Sequence, residues 1–393
     1  MPKKSEKKKT VAPAARKRSV PPTSPVKSAK PAKRTHSRKA EKPRPLPYFK
    51  KSHIAPRDVA VPNSWPVPDL CMAYNWPANL VGGGVIAIIE LSGGWVQSDM
   101  DAYFDYIGQP VPQITDSPLG SVTNSPGQHN NDPYADPDHE VALDIQVAAA
   151  SYYVATGKPA VVRVYWAPNI PSGIQAATAD NCDVCSVSWG GDEAYLDPDM
   201  VQRMEDAATD ATTAGMVVFA ASGDNDSSDG GSAPNNVDAP ACCPHVIGCG
   251  GTTKTATGET VWNNDPGNAS GHGSGGGFSK IFTPMPSFQQ NAPNGSGKMV
   301  PDVAGNAGFK IYVHGAPLTG TGGTSAVAPL YAGLFAAFGT KLGFVTPKLW
   351  ENQLCFNDIT QGDNGAYRAT PGPDPCTGIG SPIGTKLAAL YVK

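Results

Sequence analysis

The chain has 393 residues, of which 40% are hydrophobic and 17% charged, with a formal net charge of -3. Its 43 Gly and 39 Pro are scattered without a period, which excludes a collagen-like or solenoid repeat, and no stretch approaches the roughly 20 apolar residues of a membrane-spanning helix. The near-neutral total conceals a split: residues 1–60 carry 19 Lys+Arg against 3 Asp+Glu, leaving 12 basic and 31 acidic residues in 61–393.

The first 60 residues run through Lys, Arg, Pro, Ala and Ser with almost no large apolar side chain, so they are expected to be a disordered basic tail. Such an arm suits nonspecific contact with nucleic acid or another anionic surface, although a solvated spacer is the reading that the composition favours. No apolar segment follows the charged N-terminus in the manner of a Sec-type signal, so localisation stays open. The remainder, 61–393, reads as one domain.

Past Pro68, apolar β-rich runs at Val85–Leu91, Val161–Trp166, Val184–Trp189 and Met216–Ala221 alternate with helical stretches at Glu140–Thr156, Asp199–Ala214 and Ser325–Leu342. Strands that are apolar on both faces and separated by helices predict an α/β fold, with a mainly parallel sheet and helices on both faces. Ligands of such folds gather at the carboxyl ends of the strands.

Three segments carry chemistry. In Gly322-Gly323-Thr324-Ser325-Ala326-Val327-Ala328-Pro329, a glycine turn opens an apolar helix with Ser325 at its start. The hydroxyl there is either a helix cap or a nucleophile beside oxyanion-stabilising amides. In Asp138-His139-Glu140-Val141-Ala142-Leu143-Asp144, Glu140 and Asp144 stand one turn apart on an otherwise apolar helix. Two buried carboxyls on one stripe are costly unless they share a proton or meet a partner, whereas helix-dipole stabilisation explains Glu140 better than Asp144. In Ser222-Gly223-Asp224, an aspartate leaves a strand end, either as a turn-former or as a protonated donor to an oxyanion. None of the seven histidines stands in a setting that recommends it as the base for Ser325.

Taken together, Gly-Gly-Thr-Ser-Ala-Val-Ala-Pro around Ser325, Glu-Val-Ala-Leu-Asp from Glu140, Ser-Val-Ser-Trp-Gly-Gly at 186–191 and Ser-Gly-Asp at 222–224 resemble the sedolisins, the serine-carboxyl peptidases, and in particular their kumamolisin-like members. The resemblance runs from about Asp69 to Val392. It implies a subtilisin-like fold and a serine endopeptidase that hydrolyses peptide bonds of protein or peptide substrates at acidic pH through an acyl-enzyme. The implied roles are Ser325 as nucleophile, Glu140 as general base and then acid, Asp144 as the carboxylate orienting it, and Asp224 as oxyanion partner. Glu90 and Trp189 extend the hydrogen-bond chain behind them, although a core indole and a structural carboxylate would read the same way. A carboxylate base suits acid, because below about pH 5 an ordinary imidazole is already protonated.

The resemblance also implies one structural Ca2+, held by the carboxylates of Asp358 and Asp374 and the carbonyls of Ile359, Thr370 and Gly372. Hard oxygens on Gly/Pro-rich loops suit that ion, although aspartates there are also ordinary turn residues. The chain is expected to act as a monomer, and the resemblance suggests an extracellular setting. Of eight cysteines, Cys355 and Cys376 bracket the calcium loops and are candidates for a bridge, while buried thiols are expected for most of the others. Sedolisins usually carry a long folded pro-segment, and the basic tail is too short and too polar to be one. A different class of reading is a catalytically idle relative that serves as a binding module, its basic arm docking on nucleic acid.

Overall fold

The computed structural model describes residues 64–127, 137–232 and 234–392, together with the backbone of two short strands at Leu46–Pro47 and Lys50–Lys51. The chain divides into two units, Met1–Glu41 and Lys42–Lys393. The first unit, and with it most of the stretch expected to be a disordered tail, lies outside the described residues. The body is built on an eight-stranded sheet of β1 (Val85–Glu90), β2 (Gln113–Pro118), β3 (Val161–Trp166), β4 (Val184–Val187), β5 (Val217–Ala221), β6 (Ile247–Lys254), β7 (Glu259–Val261) and β8 (Val303–Asn306). The spatial order is β7-β6-β5-β4-β1-β3-β2 with β8 also on β6, and every pairing is parallel except that of β6 with β7.

Strand parity sorts the apolar side chains into two cores, because successive residues of a strand face opposite sides. Ile86, Ile88, Val162, Val164, Val217 and Phe219 join the core on one face. Ala87, Ile89, Cys185, Val187, Val218 and Ala220 join the core on the other. Helices α1 (Pro137–Thr156) and α4 (Val327–Ala337) cover the first face, and α2 (Ile170–Ala179) and α3 (Pro198–Thr213) cover the second. The fold is therefore the mainly parallel α/β arrangement that the apolar runs predict, and the subtilisin-like one that the resemblance implies.

Two elements differ from the reading of the sequence. The run to Trp189 breaks after Val187, and Trp189–Asp192 forms a separate short strand that pairs with Asp238–Ala239. The last long helix begins with a 3-10 turn at Thr324–Ala326, becomes α-helical only at Val327 and stops at Ala337, with Gly339 in the left-handed region just beyond. Strand β6 is not predicted from the sequence, because Ile247–Lys254 holds four glycines or threonines in a row, Gly250-Gly251-Thr252-Thr253, rather than a continuous apolar run.

Candidate active site

The carboxyl ends of neighbouring strands β1, β4 and β5 deliver Glu90, Ser188 and Ser222–Asp224 to one edge of the sheet. Glu90 shares the parity of Ile86 and Ile88, so it faces the side covered by α1 and α4. There it meets Asp144, which together with burial holds the Glu90 carboxyl well above the ordinary carboxylate range. The indole Nε1 of Trp189 donates to Glu90 Oε2 at 2.8 Å, which acts in the opposite sense.

Helix α1 is buried on nearly all sides, and Glu140 and Asp144 are both fully inaccessible. Burial pushes Glu140 well up, and the neighbouring Asp144 and Glu90 push it further. The Ser325 hydroxyl pulls the other way by favouring the ionised Glu140, although neither Ser325 Oγ nor either Glu140 oxygen has a formed hydrogen bond. Such contacts often close only when substrate is bound. Asp144 is raised by burial and lowered by the Ser188 hydroxyl, which donates to Asp144 Oδ1 at 2.8 Å. Burial of three mutually repelling carboxyls is expensive for a fold to maintain, and this cluster is therefore a functional candidate.

Ser325 reaches this cluster through backbone geometry. The strand Ala316–Gly322 ends at Gly322, whose φ of +143° suits glycine alone and where a Cβ would collide with the Ala307 carbonyl. The 3-10 turn then carries Ser325 into α4. A second glycine, Gly333 in α4, has no room for a side chain against Ser151 and Ala148 of α1. That absence lets the helix bearing Ser325 lie directly on the helix bearing Glu140 and Asp144. On the opposite side, Asp224 Oδ1 accepts from the Thr324 amide and from Thr324 Oγ1, both at 2.8 Å, so Asp224 is tied to the residue preceding Ser325.

All six residues singled out from the sequence, Ser325, Glu140, Asp144, Asp224, Glu90 and Trp189, thus belong to one buried network. Two further members escaped that reading. Ser188 bridges Asp144 and the Ser325 carbonyl, the latter at 3.3 Å. Thr324 holds Asp224 and accepts from the Gly223 amide at 3.1 Å. Both lie inside the motifs quoted above, but a small hydroxyl residue shows its target only once the partner segment is packed against it.

The loops expected to hold a cation also meet. The Gly372 amide donates to Asp358 Oδ2 at 2.9 Å and the Thr370 amide to Asp374 Oδ2 at 3.0 Å, so the two carboxyls flank the same short stretch of main chain. Asp374 is buried, which pushes its carboxyl up to about 6, and its Oδ1 accepts from the Cys376 and Thr377 amides. Asp358 and Asp374 therefore lie against the loop that carries Thr370 and Gly372, and hard carboxylate oxygens on such a loop are of the type calcium takes. Among the described residues no group of three His, Cys, Asp or Glu side chains could hold a metal, so main-chain oxygens would have to complete such a site. All eight cysteines are free and buried, which corrects the bridge considered for Cys355 and Cys376.

Comparison with known proteins agrees with this geometry. Residues 161–355 match the Subtilase family model. The chain is 41% identical to kumamolisin of Bacillus sp. (strain MN-32) across 84% of this chain and 64% of that protein. It superposes on Pseudomonas sedolisin, a serine-carboxyl proteinase, with a TM-score of 0.72 and 25% identity, covering 84% of this chain and 98% of the other. The chain is a kumamolisin-like member of the sedolisin family. Tripeptidyl-peptidase 1 of Bos taurus is a more distant relative, 29% identical across 51% of this chain and 41% of its own length. This sedolisin spans less than two thirds of the length of these curated relatives. Among its described residues, no helix is long and apolar enough to cross a membrane.

Proposed function

We propose that this sedolisin is a serine peptidase, and specifically an endopeptidase that works in acid through Ser325, Glu140 and Asp144. The observation that supports the reading is geometric: the helix that follows Ser325 packs through Gly333 on the helix bearing Glu140 and Asp144, and the Ser188 hydroxyl bridges Asp144 and the Ser325 carbonyl. Glu140 takes the Ser325 proton as Oγ attacks the substrate carbonyl carbon, then passes it to the departing amine as the C–N bond breaks. Water enters, Glu140 takes a proton from it, and the ester is hydrolysed with return of that proton to Ser325. Asp144 keeps Glu140 oriented, Glu90 and Trp189 support Asp144, and Asp224, held beside Thr324, donates to the oxyanion in its protonated form.

Relatives named tripeptidyl-peptidases supply a second reading, removal of tripeptides from a chain end. One calcium ion, held by Asp358, Asp374 and the carbonyls of Ile359, Thr370 and Gly372, would pin these loops together and has no part in the chemistry.

The deciding experiment incubates the purified chain and Ser325→Ala with an unfolded protein from pH 3 to 8, with mass spectrometry of the products. Internal fragments formed only by the unsubstituted chain, fastest in acid, are the expected result. Exclusive release of tripeptides would replace the endopeptidase reading. Absence of cleavage at every pH would leave the idle binding module.

A further inference from the structure

The turn that carries Asp224 is backed by a second piece of main chain. The Gly273 amide donates to the Asp224 carbonyl at 3.1 Å, the Gly275 amide donates to the Gly223 carbonyl at 2.7 Å, and the Asp226 amide donates back to the Gly273 carbonyl at 3.1 Å. The Ser222 hydroxyl adds a bond to the Gly275 carbonyl at 2.8 Å. Residues 222–226 and 273–275 therefore form one short ribbon, and whatever displaces 273–275 displaces Asp224 with it. Asp224 is in turn the residue that Thr324 ties to the Ser325 turn.

The side chain of Asp226 is keyed into this ribbon. It is fully buried, and a Cβ on Gly271 or on Gly273 would collide with its carboxyl, so the two glycines form a cradle made of main chain. Neither carboxyl oxygen has a formed hydrogen bond. Burial above all, and then the charges of Asp363, Asp265 and Asp224, push the carboxyl up to about 7, against the pull of the Gly271 amide. Cys376 also faces it, with a thiol that burial keeps neutral, and His272 stands exposed between the two glycines. The cradle thus suits a neutral carboxyl, whereas a buried charge without a formed hydrogen bond is costly to keep.

We propose that Asp226 is a positioning residue: with its proton on, it keys 271–275 against the turn that bears Asp224, and once ionised it drives that segment off its seat and so ends turnover. The inference rests on the reading of Asp224 as oxyanion donor and adds to it a residue that decides at which pH the donor is in place. The ionised carboxyl is repelled by Asp363 and Asp265 from separate loops, and its relief is to reach water, which requires Gly271 and Gly273 to move. Their movement breaks the pairing of Gly273 with Asp224. Direct repulsion between the two aspartates has the opposite consequence. Because it is reciprocal, removal of the Asp226 charge would by itself let Asp224 lose its proton at lower pH and would move the alkaline limb of turnover down. Positioning moves that limb up, so the sign of the change separates the two effects.

The test compares the full chain with Asp226→Asn, which keeps the shape of the neutral carboxyl, by kcat/KM for an external peptide from pH 3 to 9. The expected result is an alkaline limb about one pH unit higher in Asp226→Asn, equivalent to about tenfold more turnover on that side of the profile. A limb that stays in place or moves down overturns the proposal and leaves the peptidase reading intact. Hydrogen exchange of peptides spanning 271–275, corrected for the intrinsic rate, reads the ribbon directly in Ser325→Ala, where no proteolysis intervenes and Asp226 is unsubstituted. Protection of the Gly273 and Gly275 amides should fall about tenfold as the pH rises through about 7, and should persist when Asp226→Asn is added. Protection that does not change with pH overturns the proposal even where Asp226→Asn folds poorly. Cleavage by no chain at any pH overturns the reading of Ser325 and, with it, the claim on turnover.

Discussion

The Ser188 hydroxyl lies 2.8 Å from Asp144 Oδ1, a hydrogen bond between residues 44 apart in sequence that ties the end of β4 to the middle of α1. It acts on the Asp144 pKa against the larger effect of burial, so it favours ionised Asp144, whose charge repels that of Glu140. Ser188→Ala should leave Asp144 protonated over a wider pH range. Glu140, relieved of that repulsion, would then ionise at lower pH. The acid limb of kcat/KM against pH should move downwards. A hydrogen bond to a charged group is worth about 1.5–3 kcal/mol, so the maximum should fall about ten- to a hundredfold. A pH profile with an unmoved acid limb would separate Ser188 from the proton-transfer chain.

Replacing the base itself should have a larger effect. Glu140→Gln keeps the shape of the side chain and removes its basicity, so turnover should drop on the order of 10²–10⁴-fold, as for loss of a general base. His139→Asn, the neighbouring substitution, should change kcat far less. Steady-state assays of the two variants at pH 4 compare them directly, and a greater loss in the histidine variant would overturn the carboxylate base.

Stability should decline as the pH rises from acid. Burial raises Glu90, Glu140, Asp144 and Asp238 well above their ordinary values of 3.8 to 4.5, and raises Asp226 to about 7. The folded state therefore holds protons that the unfolded chain releases. The resulting stabilisation is complete below pH about 4 and is lost as the pH climbs through the raised values. The melting temperature should be highest near pH 4 and fall toward pH 8. Asp226→Asn, which removes one such proton, should flatten the decline between pH 4 and 7 in a calorimetric series.

Packing of the two helices that carry the site depends on Gly333. A methyl group there meets Ser151 and Ala148, so Gly333→Ala should destabilise the fold by about 1–3 kcal/mol, the range for an overpacked core. It should also lower kcat, because relief of the clash displaces α4 and Ser325 with it. Urea denaturation and kcat at a temperature well below unfolding measure the two effects separately.

Chelation should lower the melting temperature by several degrees without changing the pH profile of turnover, as expected of a cation that only pins loops. Asp374→Asn should reproduce that loss and make the protein insensitive to chelator. An unchanged melting temperature in excess chelator would remove Asp358 and Asp374 from consideration as ligands.

Local pattern reveals most of the elements and the chemical inventory. Val161–Trp166, apolar but for Arg163 and rich in β-branched and aromatic residues, reads as a strand, and the spacing of Glu140 and Asp144 places both on one helical stripe whatever surrounds them. Strand β6 stayed hidden because its glycines and threonines lack a local signal and are held by neighbours on both sides. It takes the folded chain to show that α1 and α4 meet at Gly333, that Ser188 reaches Asp144, that Thr324 secures Asp224, and that Leu46–Pro47 and Lys50–Lys51 pair with the strands at Trp189 and Gly322. Those relationships join segments tens to hundreds of residues apart. Local propensity acts over a few residues, so contacts of that span are fixed by packing and by strand-edge pairing, which no single segment encodes.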